Sequence, residues 1–159
     1  MRKVLVIGSP GSGKSTFVRA LAAATGLPLV HLDNLFWNTD HTTVGREEFR
    51  RRLQEVLGQN AWIIDGNYPS TLELRLQHCD TVFFLDYPVE HCLRGLEQRL
   101  GQPRSDMPWV EEELDPELVA TVKEFPTATR PDIVKLLQAH PNVQVHRLTM
   151  PTAPTDFEP

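Results

Sequence analysis

Three stretches of the chain are continuously apolar: Val4-Leu5-Val6-Ile7, Trp62-Ile63-Ile64 and Val82-Phe83-Phe84-Leu85. An unbroken apolar run of this length reads as a parallel strand buried on both faces. The runs predict strands over residues 3–7, 61–65 and 81–85, with a shorter one over 27–32 and an alternating one over 143–148. Between them the spacing changes to the helical period. Phe49, Leu53, Val56 and Leu57 fall on one face of a helix over 46–57, with Arg50, Arg51 and Arg52 mostly on the solvated face. Further helices are predicted over 17–25, 71–77, 89–100 and 130–139. Strands alternating with helices imply βαβ units, hence an α/β fold with a parallel sheet covered on both faces. Residues 1–149 are read as one domain. Residues 150–159 hold three prolines and few apolar side chains, and are expected to be a flexible tail.

In such sheets ligands bind at the carboxyl ends of the strands. Four chemistry-capable positions lie there: Gly8 to Thr16, Asp33, Asp65 and Asp86. The first reads Gly8-Ser9-Pro10-Gly11-Ser12-Gly13-Lys14-Ser15-Thr16, between a strand and a helix. This is the P-loop arrangement. Glycines let the backbone N–H groups of Gly8, Gly11, Ser12, Gly13 and their neighbours turn toward phosphate oxygens at a helix N-terminus. Lys14 is expected on the β- and γ-phosphates, and Ser15 on Mg²⁺, with Thr16 beside it. The implied cofactors are ATP and Mg²⁺.

Phosphoryl transfer needs positioning and charge neutralisation more than covalent chemistry. Asp65 ends an apolar strand as a Walker B carboxylate does, and is assigned to the metal in preference to Asp86, whose plain role is capping the next helix. Asp33 is the acceptor-side candidate, as a base or orienting group, with an Asx turn as its plain alternative. His31 is read as a satisfied core histidine outside the catalytic set. Trp37 either stacks on an acceptor ring or packs its loop. Arg75, Arg94, Arg99, Arg104 and Arg130 are the guanidinium groups available to clamp phosphates.

Charge sharpens the picture. The net charge is −5, and residues 102–129 carry seven acidic side chains against two basic ones, so the rest of the chain is neutral. The acidic, proline-containing segment is expected to be a lid, helical over 116–123. No basic stripe suggests a nucleic-acid surface. No apolar run approaches the roughly 20 residues of a membrane span. Cys79 and Cys92 have no metal-type spacing and are read as buried small hydrophobes of a cytoplasmic protein.

The chain resembles a bacterial family, the topology modulation or adenylate kinase-related proteins. The matching pieces are Gly8 to Thr16, His31-Leu32-Asp33, Trp62 to Tyr68, Arg75, Phe84 to Pro88 with Cys92-Leu93, Arg99, Arg104 to Met107, and Arg130-Pro131. The resemblance implies a P-loop NTPase fold of the nucleoside-monophosphate-kinase type, with strand order 2-3-1-4-5, a small lid and ATP as donor. It places Asp65-Gly66 beside metal and acceptor, and Arg99 on the ATP phosphates. Two departures stand out. Leu35-Phe36-Trp37 occupies the stretch where adenylate kinases carry an acceptor-phosphate arginine, and Gly95 stands where the family commonly has an arginine, with Arg94 beside it. The expected activity is transfer of the ATP γ-phosphoryl group to a small acceptor. The acceptor is set among Asp33, Trp37, Asp65, Gly66, Arg75 and Arg130, with Lys14, Asp33, Arg99 and Arg104 catalytic. The alternative is an ATP-binding regulatory protein acting through a partner.

Overall fold

Alternate residues along the apolar runs divide between two cores. In a computed structural model, which describes residues 1–103 and 108–154, five strands form one parallel sheet. They are β1 (Lys3–Gly8), β2 (Leu29–His31), β3 (Trp62–Asp65), β4 (Thr81–Leu85) and β5 (Gln144–Leu148), in the order β2-β3-β1-β4-β5. Leu5, Ile7, Trp62, Ile64, Val82 and Phe84 point to one face, where Phe49 and Leu53 cover them. Val4, Val6, Ile63, Phe83 and Leu85 point to the other and meet Phe17, Val18 and Leu21. A strand side chain buried in this way contributes about 1.5–3 kcal/mol, which is why the runs carry no polar residue.

The helices are α1 (Lys14–Thr25), α2 (Leu32–Phe36), α3 (Arg46–Leu57), α4 (Pro69–Leu76), α5 (Val89–Gln98), α6 (Pro116–Glu124) and α7 (Arg130–Gln138). The fold and strand order match the sequence reading, and the departures are local. Helix α1 starts at Lys14, so the glycine loop feeds directly into its first turn. Strand β2 stops at His31, because Leu32 turns into the core and a single helical turn carries Asp33. Helix α4 starts at Pro69, whose fixed φ and missing N–H suit a first helical position.

The acidic segment differs most from its expected form. From Pro116 it is helical, and Val122 and Phe125 are buried in the two cores. A π-helical turn, Phe125–Thr129, joins α6 to α7. Pro126 and Pro131 explain it, since each removes an N–H donor from the regular ladder. Before α6, the described residues 101–103 and 108–115 form no helix or strand. The Gly101 N–H donates to the Glu111 carbonyl at 2.6 Å. Beyond β5, residues 151–154 lie along the site cavity, and Pro154 is buried. Both cysteines are free thiols, and burial raises both, Cys79 to about 12. Among the described residues no helix is long and apolar enough to cross a membrane.

Candidate functional site

The P-loop is seated on helix α5. Gly11 has φ 76°, and a Cβ there would lie 2.0 Å from the Cys92 carbonyl oxygen. Reciprocally, a Cβ on Gly95 would lie 1.9 Å from the Gly11 oxygen. The two backbones touch, so neither position can hold a side chain without one of them moving. Gly8 lies outside the cavity lining; it lets β1 and β4 approach, since a Cβ there would be 2.7 Å from the Leu85 oxygen. Lys14 Nζ reaches back over the loop and donates to the Gly8 and Ser9 carbonyls at 3.2 and 3.1 Å. Ser15 Oγ accepts from Arg19 at 2.9 Å, and Arg19 also approaches Thr16 Oγ1 at 3.4 Å.

The β2 and β3 termini lie side by side, with His31 and Asp65 in register. His31 Nδ1 is 2.8 Å from Asp65 Oδ2, and both residues are buried. Asp65 Oδ1 is also buried and has no hydrogen-bond partner among the described residues. Asn67 Oδ1 accepts the Gly8 N–H at 3.0 Å, tying the loop after β3 to the base of the P-loop. Tyr68 has a positive φ of 33°, and its hydroxyl donates to Asp33 Oδ1. Burial first, and then the Asp33 charge, push the Tyr68 phenol well above its ordinary range.

Two arginines expected at the substrate are elsewhere. Arg75 is fully buried beneath the loop that follows β3. Its Nε donates to Thr71 Oγ1 at 3.1 Å, and its terminal nitrogens donate to the carbonyls of Gly66 (3.0 Å), Asn67 and Tyr68 (3.2 Å). These bonds are available because three successive carbonyls leave β3 before α4 begins. Arg130 is held by Asp86, with Nε 2.8 Å from Oδ1, while Arg147 binds the other oxygen at 2.8 Å. Asp86 therefore joins β4, β5 and α7 rather than capping α5, whose first turn is preceded by Pro88. Arg104 lies outside the described residues.

A cavity of about 1250 Å³ opens along the carboxyl ends of the strands. The P-loop divides it. Toward β2 and β3 it is lined by Asp33, Trp37, Asp65, Gly66 and Tyr68, joined by Trp109 from the acidic loop. Toward β4 and β5 it is lined by Tyr87, His91, Arg94, Arg99 and residues 151–154. Arg99 Nε lies 3.3 Å from Glu111 Oε2, so this arginine sits at the base of the acidic loop. Trp37 meets Trp109 edge to face at 5.4 Å between centroids, and His41 stacks on Trp109 at 4.0 Å. The lining thus contains Gly11 to Thr16, Asp33, Trp37, Asp65, Gly66 and Arg99 of the expected set, and excludes Gly8, Arg75 and Arg130.

A match to a family model corroborates the strand, loop and helix that create this rim. The model described as ATPase family associated with various cellular activities (AAA) matches residues 4–86, from β1 to the end of β4. The chain belongs to the AAA family. No curated protein matches this AAA-family chain. Among solved structures it is similar to shikimate kinase from Acinetobacter baumannii in complex with shikimate, at 18% identity and a TM-score of 0.64, covering 98% of this chain and 88% of that one. It is also similar to shikimate kinase from Bacteroides thetaiotaomicron, at 19% identity and a TM-score of 0.57, covering 92% and 85%. At these identities the likeness establishes the P-loop NTPase fold.

The donor set of this AAA-family site suits a nucleotide with its divalent cation. Asp65 Oδ1 is an orphaned buried carboxylate oxygen, and Ser15 Oγ projects from the first turn of α1. Among the described residues no three His, Cys, Asp or Glu side chains group around a metal-sized space. A cation here would take most of its ligands from phosphate and water, as Mg²⁺ commonly does. Among the lining residues that sequence reasoning did not place at the site are His31, Tyr68, Trp109 and Arg19. His31 was signalled by its place at the end of a strand, two residues before Asp33, and Tyr68 by its place in the Trp62 to Tyr68 block. Trp109 carried no signal, because only the folded loop brings it to Trp37.

Proposed function

We propose that this AAA-family chain is an ATP-dependent phosphotransferase acting on a small hydroxyl-bearing acceptor. The observation that supports it is the position of the Asp33–Tyr68 pair. It lies across the P-loop from Arg94 and residues 151–154, in one cavity whose volume exceeds the several hundred Å³ that a single ligand occupies. The nucleotide base lies toward β4 and β5, and the γ-phosphoryl group points toward β2 and β3. The kinship with topology modulation or adenylate kinase-related proteins belongs to the same proposal and rests on the sequence blocks quoted above.

Lys14 exchanges its two loop carbonyls for β- and γ-phosphate oxygens. Arg94 and Arg99 stand on the α5 side to neutralise charge that develops on transfer. Asp65 and Ser15 would hold Mg²⁺, which would supply charge neutralisation to the bound phosphates. The acceptor oxygen forms a bond to the γ-phosphorus as the bond to the β–γ bridging oxygen breaks. The bridging electron pair leaves with ADP, and the acceptor proton passes to Asp33.

The test is ADP formation by the full chain with MgATP, alone and with a panel of hydroxylated metabolites, nucleosides and nucleotides. One acceptor class should accelerate ADP release, Lys14→Ala should abolish the acceleration, and Asp33→Asn should lower kcat far more than ATP affinity. Tight ATP binding with no acceleration by any compound would instead support an ATPase or regulatory role through a partner, as the AAA family match allows.

A further inference from the structure

The acceptor half of the cavity has an unusual charge pattern for a phosphoryl-transfer site. Among the described residues, β2, α2, the 37–45 loop, β3 and the loop after it contribute no Lys or Arg to the lining. The cations expected there or lying nearby are engaged elsewhere. Arg75 donates into three loop carbonyls, Arg130 holds Asp86, and Arg52 of α3 binds Glu48 at 2.9 Å and the Leu35 carbonyl at 3.3 Å. What these elements contribute is two carboxylates, Asp33 and Asp65, and a set of rings, while Arg19 of α1, which lines the same cavity, is bonded to Ser15 and Thr16. A phosphate or carboxylate placed here would meet like charge, and among the described residues these elements offer it no bidentate partner.

A cation is served no better. Tyr68 occupies one oxygen of Asp33, and His31 occupies one of Asp65. The rings do not form an open cage, because His41 already covers a face of Trp109. The arrangement instead makes a corner. Trp37 and Trp109 stand nearly perpendicular, at 89°, with Tyr68 and Asp33 on the same half of the cavity. A ring fits an indole wall by stacking and keeps a hydroxyl free for Asp33.

Resting on the phosphotransferase reading, we infer that the acceptor is an uncharged, ring-bearing alcohol, a nucleoside or cyclic sugar, seated against Trp37 and Trp109. Specificity against anions comes from the withdrawal of Arg75 and Arg130 and from the two carboxylates. Trp37 is the specificity-determining contact.

The experiment measures ADP release by the full chain with MgATP and matched pairs: adenosine against AMP, cytidine against CMP, and glucose against shikimate, with choline as a cationic alcohol. The uncharged members should accelerate ADP release at least about tenfold over the acceptor-free rate, and the anions less than about twofold. Trp37→Leu should raise the acceptor KM about tenfold or more while ATP affinity holds, and Trp37→Phe should restore most of the loss. Acceleration by AMP, CMP, shikimate or choline in preference to the uncharged compounds overturns the inference and leaves the phosphotransferase reading standing. No acceleration by any compound, with ATP still bound, overturns the phosphotransferase reading itself. An unchanged acceptor KM in Trp37→Leu removes Trp37 from the acceptor contact.

Discussion

His31 Nδ1 lies 2.8 Å from Asp65 Oδ2, and the pairing is fixed by the parallel register of β2 against β3. The imidazole holds one carboxylate oxygen and leaves Oδ1 unpaired in the cavity wall. His31 thus acts as a positioning residue for the group proposed to hold Mg²⁺. Partners of this kind typically contribute about 10–100-fold to metal affinity or activity. His31→Ala should therefore raise the Mg²⁺ concentration needed for half-maximal turnover about tenfold or more. His31→Asn, whose amide can reach the same oxygen, should recover much of it. An unchanged Mg²⁺ requirement in a folded His31→Ala protein would separate the pair from metal binding.

Arg75 supports the loop after β3 from beneath. Removing its guanidinium leaves the Gly66 and Asn67 carbonyls without their donor, while the Tyr68 carbonyl keeps the Thr71 N–H and hydroxyl. An unsatisfied buried polar group costs about 1–3 kcal/mol, and here several share one donor. Arg75→Met should lower stability in urea by about 3 kcal/mol or more. A substrate clamp would behave differently, leaving the urea midpoint in place and raising only the acceptor KM.

The difference between those two roles shows what was legible in the sequence. The P-loop was legible because its chemistry is a local backbone demand, written as glycine spacing between a strand and a helix. The sheet was legible because Val4 to Ile7 and Val82 to Leu85 are apolar at every position, which only burial on both faces explains. The partner of a long guanidinium side chain is set by tertiary packing. Nothing near Arg75 announces the three carbonyls it meets, and nothing near Arg130 announces Asp86, 44 residues away. His31 was legible as a buried histidine, but its partner depends on strand register. That residues 151–154 line the cavity was not legible, because it depends on where β5 ends in the folded sheet.

Gly95 should reverse the usual rule for helix substitutions. Gly→Ala inside a helix ordinarily stabilises by about 1 kcal/mol. Here the new Cβ would lie 1.9 Å from the Gly11 backbone oxygen, so α5 or the P-loop must move. Gly95→Ala should destabilise the protein and weaken ATP binding together, measured by thermal unfolding with and without nucleotide. A gain in Tm with unchanged ATP affinity would show that the helix and loop separate freely.

The two tyrosines make the site visible to alkaline titration. Tyr68 and Tyr87 are the chain's only tyrosines, and burial raises both phenols above their ordinary value. The Asp33 carboxylate adds to the shift at Tyr68, whereas a backbone hydrogen bond with Thr152 opposes it at Tyr87. In an unfolded chain both would ionise near pH ~10. Between that pH and the higher folded values, the folded state holds protons that the unfolded state has released. Their contribution to stability is therefore complete below about pH 10 and is lost as pH rises further. Near-ultraviolet absorbance should show little tyrosinate while the fold persists, and its appearance should coincide with loss of the circular-dichroism signal. In Tyr87→Phe the remaining phenol is Tyr68 alone, and Asp33→Asn in that background should let it ionise at lower pH by removing the adjacent charge. Ionisation near pH ~10 with the fold intact would show that the Tyr68 hydroxyl is not held against Asp33 in solution.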